Sequence, residues 1–287
     1  MPELPEVETI VRRLRDGSPT FPPVPGQSIA DVIITWDKII APPENPESFR
    51  QQLMGKTILD VRRRGKFLHF PLSRGHLIGH LRMSGDMRVE RRISAQGEPL
   101  PIQTYDRVVI NFTSPWRLVF VNVRKFGRMI TTTDPQSIFG DLGPEPLSPD
   151  FNVQNFAARL QAHNRQIKPL LMDQGFLAGL GNIYTDEALF RAKIHPLRKS
   201  DSLSQGEVAQ LNQAIQAVLR EGITQFGASL DWVYRGGEFQ NYFKVYGRKG
   251  EPCPICGTTI EKISVGQRGT HFCPQCQISP LLNRKSE

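Results

Sequence analysis

No stretch of this chain approaches the roughly 18–20 consecutive apolar residues that a membrane span requires. The first twenty residues carry Glu3, Glu6, Glu8 and Asp16 where an export signal needs an apolar core, so the expected location is the cytosol. Cysteine is scarce: four in 287 residues, all between Cys253 and Cys276. A disulfide framework would spread its cysteines through an exported chain, so clustered thiols point to metal instead. Gly (24) and Pro (23) together fall far short of a third of the chain, which excludes collagen-like and low-complexity classes. With 39% hydrophobic and 22% charged residues, a core can be buried and disorder is excluded. Acidic charge is the last shortage. Asp and Glu number 28 against 36 Lys and Arg, and the net +8 favours a polyanionic partner.

Periodicity divides the chain. Leu4, Val7, Ile10, Val11 and Leu14 recur at helical spacing between Glu3 and Arg15, with Pro5 tolerated in a first turn. Prolines forbid regular structure between Phe21 and Pro25. Short strands are predicted at Ser28–Trp36, Thr57–Val61, Lys66–Leu72, His76–Met83, Arg107–Phe112, Arg117–Asn122 and Arg128–Thr132. Gly143, Pro144, Pro146 and Pro149 then stop both element types and suit a linker. Helices are predicted at Asn152–His163, Ile167–Met172, Ile183–Ala192 and Ser204–Phe226, and short strands surround the cysteines from Val245 onward. The expected organisation is a β-rich domain over 1–139, a linker over 140–150, a mainly helical domain over 151–244 and a small cysteine unit with a tail over 245–287. No internal repeat is visible.

The spacing Cys253-x2-Cys256-x16-Cys273-x2-Cys276 brings four thiolates into the tetrahedron that Zn2+ accepts. About 35 residues bury too little surface to fold alone, and a four-thiolate site has no open position, so one structural Zn2+ is predicted. His271 is a fifth candidate donor, read as a surface or knuckle residue. Three basic segments stand out: Arg62-Arg63-Arg64-Gly65-Lys66, Arg124-Lys125-Phe126-Gly127-Arg128 and Gln267-Arg268-Gly269. The first alone reads as a solvated charged turn; the three together suit a nucleic-acid groove, with Phe126 placed to insert between bases. The glycines of 175–182 precede a helix without the Gly-Lys-Ser/Thr of a P-loop, so a nucleotide cofactor is not expected. A tight turn between helices, or a backbone clamp in which Asn182 grips a phosphate, remains. At the start, removal of Met1 ahead of the small Pro2 would expose a secondary amine at a helix N-terminus beside Glu3 and Glu6. Such an amine is a nucleophile whose protonated form the helix dipole disfavours.

Met-Pro-Glu-Leu-Pro-Glu-Val-Glu-Thr at the start, Arg64-Gly-Lys66-Phe-Leu, His80-Leu-Arg-Met83-Ser-Gly, Arg124-Lys-Phe126-Gly, Leu142-Gly-Pro-Glu-Pro-Leu, Gly179-Leu-Gly-Asn182-Ile-Tyr and the terminal four cysteines together resemble bacterial formamidopyrimidine-DNA glycosylases, from Pro2 to about Gln277. The resemblance implies an α+β multidomain fold: an N-terminal β-sandwich with its helix, a helix–two-turns–helix domain and a zinc finger. It implies a base-excision repair enzyme of the cytoplasm and nucleoid, a monomer acting on damaged double-stranded DNA, that excises oxidised purines and then cleaves the strand. Pro2 resembles the nucleophile, Glu3 the acid/base on the opening sugar and Glu6 a helper. Lys66 and Arg268 resemble phosphate-gripping residues with proton-donor roles in the eliminations, and Asn182 a further backbone contact. Met83, Arg124 and Phe126 resemble the wedge that fills the hole left by the extruded base.

Three positions depart from the family's pattern. Asn122 stands where Asp is more frequent, Tyr105 where a DNA-contacting His is frequent, and Asn164 where Lys is frequent, with Arg165 as a substitute DNA contact. Ser229–Gln240 looks shorter than the segment that in many relatives folds over an everted 8-oxoguanine, which favours ring-opened formamidopyrimidines as substrates. The alternatives are the sister endonuclease VIII family, acting on oxidised pyrimidines, and a catalytically silent zinc DNA-binding protein. Leu4 and the wedge argue against the first, and Pro2, Glu3 and Lys66 together against the second.

Overall fold

The structure, a computed structural model, describes residues 1–42, 45–229 and 236–279. Two compact units emerge: Met1–Gly140 with Ser229–Gly237, and Asp141–Ala228 with Glu238–Glu287.

The first unit begins with α1 (Leu4–Asp16), whose predicted apolar face is realised: Leu4, Val7, Ile10, Val11 and Leu14 are buried. Gly17 (φ 75°) ends the helix, and a Cβ there would stand 2.8 Å from the Pro23 nitrogen. Two antiparallel four-stranded sheets follow. One has the order β1 (Ile29–Ile34), β6 (Asp106–Phe112), β7 (Trp116–Asn122) and β5 (Gly85–Arg91). The other has the order β2 (Arg62–Arg64), β3 (Phe67–Pro71), β4 (His76–His80) and β8 (Arg128–Thr132). Leu68, Phe70, Leu77 and Met129 from the second sheet share a core with Val108, Ile110, Phe112, Leu118 and Phe120 from the first, and the inner face of α1 joins it. A β-sandwich with an N-terminal helix is therefore the architecture.

Some local expectations fail for identifiable reasons. Thr57–Val61 forms only isolated bridges, Ser28 with Thr57 and Ile58 with Leu72. Strand β5 escapes a hydrophobicity reading because Arg88 and Glu90 alternate with buried Met87 and Val89; the outward charges are matched by Asp106 and Arg117 in neighbouring strands. Helix α2 (Pro46–Leu53) also escapes it, since eight polar-rich residues show little periodicity, although Asn45 caps it by accepting the Ser48 N–H at 2.9 Å. Strand β4 stops at His80 and not at Met83, because Arg82 takes a left-handed conformation (φ 55°). A short α3 (Gln136–Phe139) closes the unit.

The second unit holds α4 (Val153–Gln161), α5 (Ile167–Met172), α6 (Asn182–Arg191) and α7 (Gln205–Thr224), followed by the β9 (Glu261–Val265) and β10 (Arg268–Phe272) hairpin. These helices match the predicted ones to within about two residues, as strong 3.6-residue periodicity should allow. Among the described residues no helix is long and apolar enough to cross a membrane.

Two histidines in the second sheet resist protonation. Burial, then the charges of Arg82 and Lys66, push His80 down to about 3, and its Nδ1 accepts the Arg82 N–H at 3.0 Å. Burial, then His76, push His69 down to about 4. Both bind a proton more weakly folded than unfolded, so between about pH 6.5 and 4 the unfolded chain takes up more protons and stability falls with pH. His80→Asn, which keeps an acceptor for Arg82, should narrow the gap between melting temperatures at pH 7.5 and pH 5, measured by thermal scans.

Candidate active site and nucleic-acid interface

At the amino end, Pro2 and Glu3 are buried behind a half-exposed Met1. Glu3 is the N-cap of α1, and its own N–H donates to Glu6 Oε2 at 2.7 Å in a capping box, so two buried carboxylates meet at the positive end of a helix. Sequence reading gave Glu6 a helper's part; the geometry gives it the backbone of Glu3 to hold. Lys66 is buried too, directly after Gly65, whose left-handed backbone (φ 54°) makes the tight turn from β2 into β3. Arg63 ties that turn to α1: its Nε donates to Glu8 Oε2 and its Nη1 to the Gly65 carbonyl, both at 3.1 Å. Burial alone would raise the Glu8 carboxyl, but the Arg12 hydrogen bond and the Arg63 charge hold it below its ordinary value.

The wedge candidates meet at one end of the sandwich. Residues 81–84 carry the chain from β4 to β5, and residues 123–127 carry it back from β7 to β8. Pairing His80 with Arg128 and Gly85 with Asn122 sets these turns side by side. Met83 and Phe126 are exposed, 40% and 53%, and Arg124 Nη2 donates to the Met83 carbonyl at 3.1 Å. Tyr105, also exposed, accepts the Asn122 N–H at 2.9 Å through its carbonyl, while Arg107 lies over its ring at 5.8 Å.

In the second unit, α5 and α6 are joined by the glycine-rich segment that sequence reading singled out. Gln174 knits it internally, donating to the Met172 and Leu180 carbonyls and accepting the Gly179 N–H. Gly143 packs so closely that a Cβ would meet the Phe176 backbone at 2.6 Å. Arg165 is exposed and paired with Asp173 at 2.8 Å, a hydrogen bond that keeps the Asp173 carboxyl low.

Asn182 opens α6, and its Nδ2 donates to the Gly269 carbonyl at 3.0 Å. The same carbonyl accepts from Lys168 Nζ at 3.2 Å. Lys168 is fully buried against Asp186, whose other oxygen takes the His271 N–H at 2.9 Å. Helices α5 and α6 thus hold the β9–β10 hairpin by its backbone. Gly266 and Gln267, both left-handed, form the two-residue turn that leaves Arg268 exposed at the tip. Lys168 and Asp186 were missed from sequence; the available signal was a lysine inside the apolar run Ile167-Lys-Pro-Leu-Leu. His271 is 7% exposed, so it is an interior residue and not the surface one expected.

The four cysteine sulfurs all lie within 4.8 Å of one another, with Sγ separations of 3.5 Å for Cys256–Cys273 and Cys256–Cys276 and 3.9 Å for Cys253–Cys276. A tetrahedron with Zn–S bonds of about 2.3 Å has edges of about 3.8 Å, so the donor set fits Zn2+. Hydrogen bonds from Thr258 draw the Cys256 thiol down to about 6, while burial, then the neighbouring sulfurs, push Cys276 up. Crowded thiols resist sharing negative charge, and a divalent cation removes that conflict.

A model of the formamidopyrimidine-DNA glycosylase N-terminal domain matches residues 1–129, one of that family's H2TH domain matches 142–232, and one of the zinc finger found in FPG and IleRS matches 250–278. The formamidopyrimidine-DNA glycosylase of Geobacillus kaustophilus is 44% identical over 285 residues, covering 96% of this chain and 100% of that protein. The chain belongs to the formamidopyrimidine-DNA glycosylase family. Its Enterococcus faecalis member is likewise 44% identical, over 96% of this chain and 97% of its own length. Among solved members of the family, MutM in complex with DNA containing carbocyclic 8-oxo-G superposes with a TM-score of 0.86 at 36% identity, covering 97% of this chain and 100% of that one. The Lactococcus lactis Fpg with abasic-site DNA gives the same TM-score and identity over 96% and 100%. The finger holds one structural zinc. Of the Ser229–Gln240 segment, residues 230–235 lie outside the described residues.

Zinc should be countable. Mercurial titration of the thiols should release one Zn2+ per chain, read with a colorimetric chelator, and amide exchange should rise across 250–278 while strands β3, β4 and β6 stay protected.

Proposed function

We propose that this chain is a bifunctional DNA glycosylase and abasic-site lyase that excises oxidised purines, formamidopyrimidines above all, with Pro2 as its nucleophile. The observation that carries this reading is the buried pair of carboxylates, Glu3 and Glu6, set at the helix start beside Pro2. With Met1 in place the Pro2 nitrogen is an amide and has no nucleophilic strength. Removal of Met1 makes it a secondary amine, whose reference pKa near 8 leaves a useful neutral fraction at physiological pH.

The Pro2 nitrogen bonds to C1′ of an extruded nucleoside, the glycosidic bond breaks, and the base leaves with a proton. Glu3 serves as the acid and base on the opening sugar: O4′ takes a proton from it as the C1′–O4′ bond breaks, the proline nitrogen gives up its own proton, and the nitrogen–C1′ bond becomes a cationic iminium, the Schiff base of a secondary amine. Its electron withdrawal acidifies C2′; loss of that proton expels the 3′ phosphate, and a second elimination expels the 5′ phosphate, leaving a one-nucleoside gap. Lys66, Arg268 and Asn182 are the phosphate contacts, with Lys66 and Arg268 as proton donors. Met83, Arg124 and Phe126 fill the vacated stack, and Tyr105 and Arg165 are further contacts to the duplex. The protein acts as a monomer on nucleoid DNA.

Borohydride should trap a covalent complex between the chain and DNA bearing a formamidopyrimidine or an abasic site. Pro2→Gly or a retained Met1 should suppress trapping, and undiminished trapping by the Met1-blocked protein would refute the nucleophile. Affinity for duplex DNA should fall with salt, since each neutralised phosphate adds about −0.9 to the slope of log K against log[salt]. Arg268→Ala should flatten that slope by roughly one unit.

A further inference from the structure

Asn122 is fully buried at the end of β7, and its main chain and carboxamide make four bonds to three separate segments. Its N–H donates to the Tyr105 carbonyl at 2.9 Å, and its carbonyl accepts Arg107 Nε at 2.9 Å. Its Nδ2 donates to the Leu81 carbonyl at 3.0 Å, and its Oδ1 accepts the Gly127 N–H at 3.2 Å. The orientation of the carboxamide is dictated by these partners: reversed, it would set oxygen against oxygen at Leu81 and N–H against N–H at Gly127.

We propose that Asn122 is a positioning residue that joins the turn bearing Met83 to the turn bearing Arg124 and Phe126, so that the wedge exists as one preformed tip before DNA arrives. The inference rests on the repair reading above, in which those three side chains fill the stack. Leu81 opens the first turn and Gly127 closes the second, so one planar amide spans both. Carboxylate oxygens accept only, so Asp at this position keeps the Gly127 bond and loses the Leu81 bond. The fit is tight: a Cβ on Gly127 would stand 2.6 Å from Asn122 Nδ2 and 2.6 Å from Phe120 Cζ.

Two further contacts support the same tip. Buried Ser84 accepts the Arg124 N–H through Oγ at 2.9 Å, a second link between the turns. Lys125, between the two wedge residues and left-handed (φ 63°), sets its Nζ 3.9 Å from the Trp36 ring centroid, which fastens the outer turn to the sandwich by a cation–π contact. A loose tip would have to be ordered during insertion, and that cost would fall on base extrusion, where unstacking is already opposed.

The test compares two substrates that differ in whether a stack must be filled. Single-turnover excision from duplex DNA containing a formamidopyrimidine needs the wedge; strand cleavage at an abasic site in single-stranded DNA does not. Asn122→Ala should slow the duplex reaction by about tenfold or more, leave single-strand cleavage near that of the unaltered chain, and reduce the fluorescence rise of a 2-aminopurine beside the lesion. Asn122→Asp should fall between. Should Asn122→Ala fail to fold, exposed Lys125 decides: Lys125→Met should slow the duplex reaction by about threefold and Lys125→Arg should restore it. Equal losses on both substrates, or a duplex rate and fluorescence rise that ignore all these changes, would overturn the proposal. Absence of cleavage by the unaltered protein on either substrate would instead sink the repair reading, and this inference with it.

Discussion

Chain termini ordinarily fray, yet here the first residues are among the most constrained in the molecule. The constraint is the apolar face of α1: Leu4, Val7, Ile10, Val11 and Leu14 are buried, most of them in the core that the two sheets share, so the helix has one place to lie. Once it lies there, Glu3 must be its cap, Glu6 must reach back to the cap's N–H, and Pro2 must sit under cover. Burying two carboxylates costs solvation free energy, and the helix's unpaired amides and dipole offset part of it. The terminus on which the proposed reaction depends is therefore placed by ordinary core packing and helix capping.

The second unit solves a related problem with different means. A finger this small has little apolar surface, and its hairpin would have freedom to swing. Metal closes the cysteine end, and the buried Lys168–Asp186 pair holds the strand end through backbone atoms of Gly269 and His271. A buried ion pair is weak evidence of stability, because desolvation consumes much of its attraction. Here each charge also bonds the hairpin backbone, Lys168 at the Gly269 carbonyl and Asp186 at the His271 N–H, so what the pair supplies is a fixed orientation for the neighbouring Arg268.

Much of this was legible in the chain. Helical periodicity gave α1, α5, α6 and α7, the cysteine spacing gave the metal, and the ordered motifs gave the family. The sequence could not reveal the role of Asn122, since an asparagine ahead of a basic turn looks like any turn residue until its partners at 81, 105, 107 and 127 are in place. Lys168 and Asp186 were hidden for the same reason: they lie 18 residues apart, and their pairing is a tertiary fact. Strand β5 was masked by Arg88 and Glu90, which look like solvent charges and in fact neutralise neighbours across the sheet.

Five non-glycine residues among those described hold a left-handed backbone, and three of them, Arg82, Lys125 and Gln267, occupy the tips of the turns that present Met83, the Arg124–Phe126 run and Arg268. Side chains in that region carry a conformational penalty that glycine avoids. The molecule thus keeps side chains where the most comfortable residue would have none, and accepts local strain at its extremities. Glycine at these places would relax the main chain and also let it wander, so the same discomfort that burdens each tip keeps it stiff.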